Sequence, residues 1–121
     1  MNIDIQARDF LLTGPLKREV ERRVTGPLSA RHDHIKRITV RLGDVNGPRG
    51  GEDKYCRIKV ELSGQKEVYV EDIEADMYTA IYRAADRANR TVSRRISRQR
   101  ERPIRHVSRG VDMLSDEQAV S

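Results

Sequence analysis

Residues 77–98 read MYTAIYRAADRANRTVSRRISR, and the two periodicities inside this stretch decide the fold. Met77, Ile81, Ala85, Ala88, Val92 and Ile96 recur at steps of three or four, the spacing of one helix face. Arg83, Arg87, Arg90, Arg94 and Arg98 recur at the same steps. Each lies two positions, about 200° of rotation, beyond one of the apolar residues. The pattern predicts a helix with one buried side and, opposite it, a row of guanidinium groups. Such groups are permanently charged and offer a planar fork of donors, which suits phosphate. The ordinary alternative is a solvated helix face, but solvated faces set Glu against Lys at i,i+4, and this one does not.

The charge of the whole chain follows from this segment. Residues 83–109 carry ten arginines against two acidic residues, whereas residues 1–82 hold 14 basic and 14 acidic residues. Residues 110–121 hold three acids and no base, which leaves a net charge of +5. A sequence pI near 9.7 points to an anionic partner. Of the 24 basic residues, 19 are arginine, which favours phosphate recognition. With 121 residues, 36% hydrophobic content and a mean hydropathy of −0.75, the chain can build one economical core under a heavily charged surface. The lone Cys56 rules out an internal disulfide and fits a reducing compartment. No apolar run approaches a membrane span and no basic-then-apolar signal pattern opens the chain, so a cytoplasmic protein is expected.

Outward from the long helix, the remaining elements follow from period and punctuation. Ile3, Ile5 and Ala7 alternate with Asp4, Gln6 and Arg8, the pattern of a strand with one buried face. Thr13-Gly14-Pro15 opens a helix whose apolar line is Leu16, Val20 and Val24. Gly26-Pro27 should kink or end that helix, with Leu28 still packing. Ile38, Val40 and Leu42 mark a second strand. Cys56, Ile58, Val60 and Leu62 mark a third, with Tyr55, Arg57, Lys59 and Glu61 turned outward. Ser63-Gly64-Gln65 connects it to a fourth, with Val68 and Val70 inward. The acids Glu71, Asp72, Glu74 and Asp76 stand where negative charge favours the start of the long helix. Periodicity ends at Pro103, which divides the chain into a domain of residues 1–102 and a flexible C-terminal tail of residues 103–121.

The expected fold is therefore α+β with the order βαβββα. A right-handed crossover makes the first two strands parallel, the other connections are antiparallel, and both helices cover one face of a four-stranded sheet. Ile81, Ala85, Val92, Ile58, Val60 and Ile3 are expected in one core. The other sheet face is left charged and wet.

Other motifs carry less chemistry. The loop Asn46-Gly47-Pro48-Arg49-Gly50-Gly51 lacks the GxxxxGK[ST] spacing and leads into no helix, which excludes a phosphate loop. Two readings stay open there, a turn of no function or a loop whose Arg49 and Lys54 touch a nucleic-acid backbone. His32 and His34, with no Cys or third His near, make a poor metal site. Cys56 alternates inward without a histidine partner and reads as core. Tyr55 and Tyr69 point to the open sheet face, as base-stacking platforms or as plain surface tyrosines. No catalytic set and no cofactor site is expected.

The run Asp76-Met77-Tyr78-Thr79-Ala80-Ile81 resembles the "DMY-x-AI" signature of the ribosome hibernation-promoting factor family, also known as ribosome-associated inhibitors and as sigma-factor modulation proteins. The opening Asn2-Ile3, the early helix opened by Thr13 and the segment Asp44 to Cys56 are also similar, so the resemblance covers roughly residues 1–100. Long members add a C-terminal dimerisation domain. No second apolar pattern exists here, so the likeness is to the short form. The resemblance implies an architecture similar to double-stranded RNA-binding domains. It also implies binding of the small ribosomal subunit and its rRNA in the mRNA and tRNA channel, as a translation inhibitor in stress or stationary phase. On this reading the RNA-binding residues are Arg83, Arg87, Arg90 and Arg94, with Arg95 and Arg98 beside them, Arg22 and Arg23 on the first helix, and Arg49 and Lys54 at the loop. Two other functions fit the residues: an RNA-binding module unrelated to ribosomes, and an interaction module docking an acidic protein through the basic helix.

Overall fold

The computed structural model describes residues 2–8, 11–45 and 53–109, with side chains up to Arg98. Arg49 and the glycine-rich loop lie outside the described residues. Four strands, β1 (Asn2–Ala7), β2 (Ile35–Asp44), β3 (Lys54–Leu62) and β4 (Val68–Glu74), form one sheet in the order β1-β2-β3-β4. β1 runs parallel to β2, and the other two pairs are antiparallel, as the connection lengths require. Gly64 turns the β3–β4 hairpin with φ 73°, a conformation that costs glycine no Cβ clash. α1 (Gly14–Val20) follows β1, and α3 (Met77–Arg109) follows β4. Thr13 caps α1 by accepting from the Leu16 amide at 3.3 Å. Asp76 caps α3 by accepting from the Thr79 amide at 2.9 Å.

One core holds the fold together. Val20, Val24 and Leu28 meet Ile38, Val40, Leu42, Cys56, Ile58 and Val60 from the sheet, and Ile81, Ala88 and Val92 from α3, all at most 1% exposed. Every residue of the apolar stripe of α3, from Met77 to Ile96, is buried. Its alanines bring the helix backbone close to β3 and β4, on which it lies. Cys56 sits in this layer. Burial first, and the Asp72 charge second, push its thiol up to about 12, so it is held as an inert apolar group.

Four details refine or depart from the sequence-based expectation. Of the two outcomes expected at Gly26-Pro27, a kink or an end, the first helix does not end there but is distorted in the turn before it, with Leu28 packed. α1 passes through one π-helical turn (Glu21–Thr25) into α2 (Gly26–Ser29), with the Gly26 amide donating to the Glu21 carbonyl. The α-helical donor for the Arg23 carbonyl would be the amide of residue 27, which proline lacks. Asn89 of α3 supplies it instead, its Nδ2 donating to Arg23 O at 3.2 Å. Ile3 is 40% exposed, because β1 is an edge strand beyond the reach of α3, while Ile5 packs on the core rim.

Glu71, Asp72 and Glu74 precede α3 as expected but lie in β4, where strand alternation continues through them, and it is Asp76 that caps the helix. α3 also runs on through Pro103 to Arg109. A proline deletes one hydrogen bond and strains one turn but does not forbid helix beyond it. Seven residues of the segment expected as tail are therefore helical, and residues 110–121 lie outside the described residues.

The Asn89 bond makes the passage of the first helix depend on α3. Asn89→Ala leaves a carbonyl without a donor and is expected to lower stability by about 1–2 kcal/mol. A urea melt measures it, and an unchanged midpoint would show that the carbonyl needs no partner from α3.

Candidate nucleic-acid interface

Because the apolar stripe of α3 is fixed on the sheet, the opposite stripe must face out, and Arg83, Arg87, Arg90 and Arg94 are all exposed. They do not stand alone. β4 turns Asp72 and Glu74 toward the helix, next to Arg83 and Arg87. Arg83 Nε lies 3.6 Å from Glu74 Oε2, and Arg87 Nη1 lies 3.5 Å from Asp72 Oδ1. Arg90 pairs with Asp86 one turn back at 2.9 Å. Glu74 is pushed above the usual carboxylate range, chiefly by its hydrogen bond with Asp72, then by desolvation and the Asp72 charge, while Arg83 pulls the other way.

β4 is an edge strand, and its outer carbonyls would otherwise be unpaired. Arg87 covers one of them, and Arg95 covers two carbonyls of the turn that leads into β4. Arg87 Nη1 donates to Glu71 O at 2.8 Å, and Arg95 Nη1 donates to Lys66 O at 2.8 Å and to Glu67 O at 3.3 Å. Gln65 returns a bond to Arg95 O at 3.0 Å, which ties the β3–β4 turn to the helix. The side chains of Arg87, Arg90, Arg94 and Arg95 line a cleft of about 410 Å³ between α3 and β4. A second hollow of about 290 Å³ lies further along α3, between Ser93, Arg94, Ser97 and Arg98. Small hydroxyls beside guanidinium groups are donors suited to phosphate oxygens.

The remaining sequence-derived candidates fall into separate places. Arg22 and Arg23 share Glu19, at 2.9 and 3.1 Å. Burial pushes that carboxyl up, but the two guanidinium bonds outweigh it and hold it below the usual range. Arg23 also lies over the Tyr82 ring at 4.8 Å from its centroid, joining the first helix to α3. Lys54 pairs with the buried Asp44 at 2.9 Å and stands opposite Glu74, the partner of Arg83, so it lies at the Arg83 end of the row and far from Arg94.

Tyr55 is neither a base-stacking platform nor a surface tyrosine, the two readings the sequence left open. Its ring lies across Gly43 on the neighbouring strand, where any Cβ would clash, and Arg57 stacks on it at 4.3 Å, leaving 8% exposed. The pairing of the stripe with Asp72 and Glu74 was also missed. The signal was present, since both acids keep the parity of Val68 and Val70. Among the described residues no group of His, Cys, Asp and Glu is assembled to hold a metal, and no helix is long and apolar enough to cross a membrane.

A sheet covered on one face by two helices, one of them carrying a basic row, defines a small α+β domain. The comparisons give that class a family. The model of the sigma 54 modulation protein / S30EA ribosomal protein family matches residues 3–100, and the chain belongs to this family. Among solved structures it is similar to the N-terminal domain of Protein Y from Thermus thermophilus. That match has 30% identity and a TM-score of 0.64, and covers 78% of this chain and 98% of that one. A ribosomal subunit interface protein from Coxiella burnetii shares the fold at 16% identity with a TM-score of 0.65, covering 80% of this chain and 99% of that one. No curated protein sequence matches significantly.

The bonds to β4 divide the arginines by duty. Arg95→Gln, which loses two carbonyl contacts, is expected to cost about 1 kcal/mol of stability, whereas Arg94→Gln should change it by less than about 0.5 kcal/mol. Equal urea midpoints for the two variants would show that the edge contacts carry no stability.

Proposed function

We propose that this protein binds the small ribosomal subunit through α3 and acts on translation by occupancy, in the channel for mRNA and tRNA, under stress or in stationary phase. The observation that carries the reading is the exposed row Arg83, Arg87, Arg90 and Arg94, set on a helix whose other face is locked into the core. Family membership and the ribosomal subunit interface protein of the same fold support the ribosome as the place where that row is used.

The mechanism is electrostatic. Phosphates of the rRNA exchange with Glu74, Asp72 and Asp86 as partners of Arg83, Arg87 and Arg90. The counterions they release supply affinity that is insensitive to base sequence. The sheet and the Arg95 and Asn89 ties hold the row rigid, so little side-chain freedom is lost on binding. Nothing in this mechanism requires a bond to be made or broken, and the protein is read as a binder rather than an enzyme.

Changing Arg83, Arg90 and Arg94 together to Gln keeps good helix formers and spares the edge contacts of Arg87 and Arg95. Affinity for purified small subunits in a sedimentation assay is expected to fall strongly. The log–log salt slope should flatten by about two to three units if each arginine meets one phosphate. A variant that binds the subunit as tightly as the parent at the same salt would overturn the assignment. Binding that is lost with the variant but persists after nuclease treatment would identify an acidic protein as the partner instead.

A further inference from the structure

The face of the sheet away from the helices carries its own basic surface, and the strand register fixes its layout. Thr39, Lys59 and Tyr69 stand side by side across β2, β3 and β4, and Arg41, Arg57 and Glu71 form the next row. Tyr69 is 58% exposed, in contrast to Tyr55 two same-face rows further along the sheet. Arg57 is immobilised, with its guanidinium on Glu71 and over Tyr55, and this pair neutralises the Glu71 charge. Arg41 and Lys59 have no ion-pair partner among the described residues. Thr39, Arg41, Arg57, Lys59 and Tyr69 together line a shallow cleft of about 170 Å³.

Two uncommitted cations beside a free aromatic ring match the two parts of a nucleotide. A base of any identity stacks on a tyrosine, and a phosphate takes the charge. We propose that this face binds one unpaired nucleotide of RNA, with the base on the Tyr69 ring and the phosphate between Arg41 and Lys59. The inference deepens the reading of α3 as an RNA-binding face and rests on it. Tyr69 also borders the cleft that holds Arg87, Arg90, Arg94 and Arg95, because β4 is the edge strand. An RNA strand leaving the helix face around that edge meets Tyr69 first. An acidic protein segment would use the cations but would leave the ring without a purpose.

The test needs no ribosome, so its failure is separate from failure of the ribosomal reading. The full chain, labelled with nitrogen-15, is titrated with a six-residue oligoadenylate and followed by amide shifts. Shifts at Thr39, Arg41, Lys59 and Tyr69 are expected. Tyr69→Thr, a good strand former, should weaken binding about tenfold, the value of one stacked base, while Tyr69→Phe should bind as the parent does. Arg41→Gln with Lys59→Gln should flatten the salt slope by about one unit. The Arg83, Arg90 and Arg94 variant should keep the Tyr69 and Lys59 shifts. Shifts confined to α3, or a Tyr69→Thr variant that binds like the parent, would overturn the site. Equal shifts with a polyglutamate peptide, indifferent to Tyr69, would overturn it in favour of an acidic protein partner.

Discussion

The structure depends on the burial of one helix stripe. Met77, Ile81, Ala85, Ala88, Val92 and Ile96 are each at most 9% exposed against the sheet. Each large member contributes about 1.5–3 kcal/mol by leaving water. That burial fixes the rotation of α3 about its axis, and with it the direction of every arginine. A helix held only at its ends could roll to bring its charges into better solvation. This one cannot roll without exposing Ile81 and Val92. The basic row is therefore a consequence of the core, and its geometry is as rigid as the core.

A row of like charges at i,i+4 repels itself, and the sheet offsets part of that repulsion. Asp72 and Glu74 stand beneath Arg83 and Arg87, and Asp86 is placed one turn from Arg90. These pairs are exposed on the arginine side and so contribute little to stability. Their effect is to hold long side chains in place and to give them partners that a phosphate can replace. Arg87 and Arg95 do something different. Arg87 caps a carbonyl of the β4 edge, which would otherwise offer a template to another strand, and Arg95 caps the turn that leads into it. One helix thus protects the edge of the sheet with some of its arginines and presents others to solvent.

Much of this was legible in the sequence, because a period of 3.6 in residues 77–98 and a period of 2 in the strands survive without knowledge of tertiary contacts. The topology followed from the lengths of the connections. What escaped depends on neighbours distant in the chain. Pro27 ought to kink or end a helix, and here the helix is only distorted in the turn before it, because an amide 66 residues from Arg23 replaces the missing donor. Tyr55 alternates outward and is nonetheless buried, because the residue opposite it across the register is Gly43 and the one beside it is Arg57. Asp72 and Glu74 do precede α3, but their pairing with Arg87 and Arg83 escaped because their strand parity was not followed past Val70. The first two are contacts between residues distant in the chain, which no local pattern carries, whereas the third was legible in the strand parity.

The central claim is that the outward stripe of α3 is the surface that meets RNA. Arginine-selective labelling with phenylglyoxal, read residue by residue by mass spectrometry in the free protein and in its complex with small ribosomal subunits, tests it directly. The account predicts that Arg83, Arg90 and Arg94 react in the free protein and are protected in the complex, while Arg22 changes less. Continued reactivity of those three arginines in a complex that has formed would contradict it.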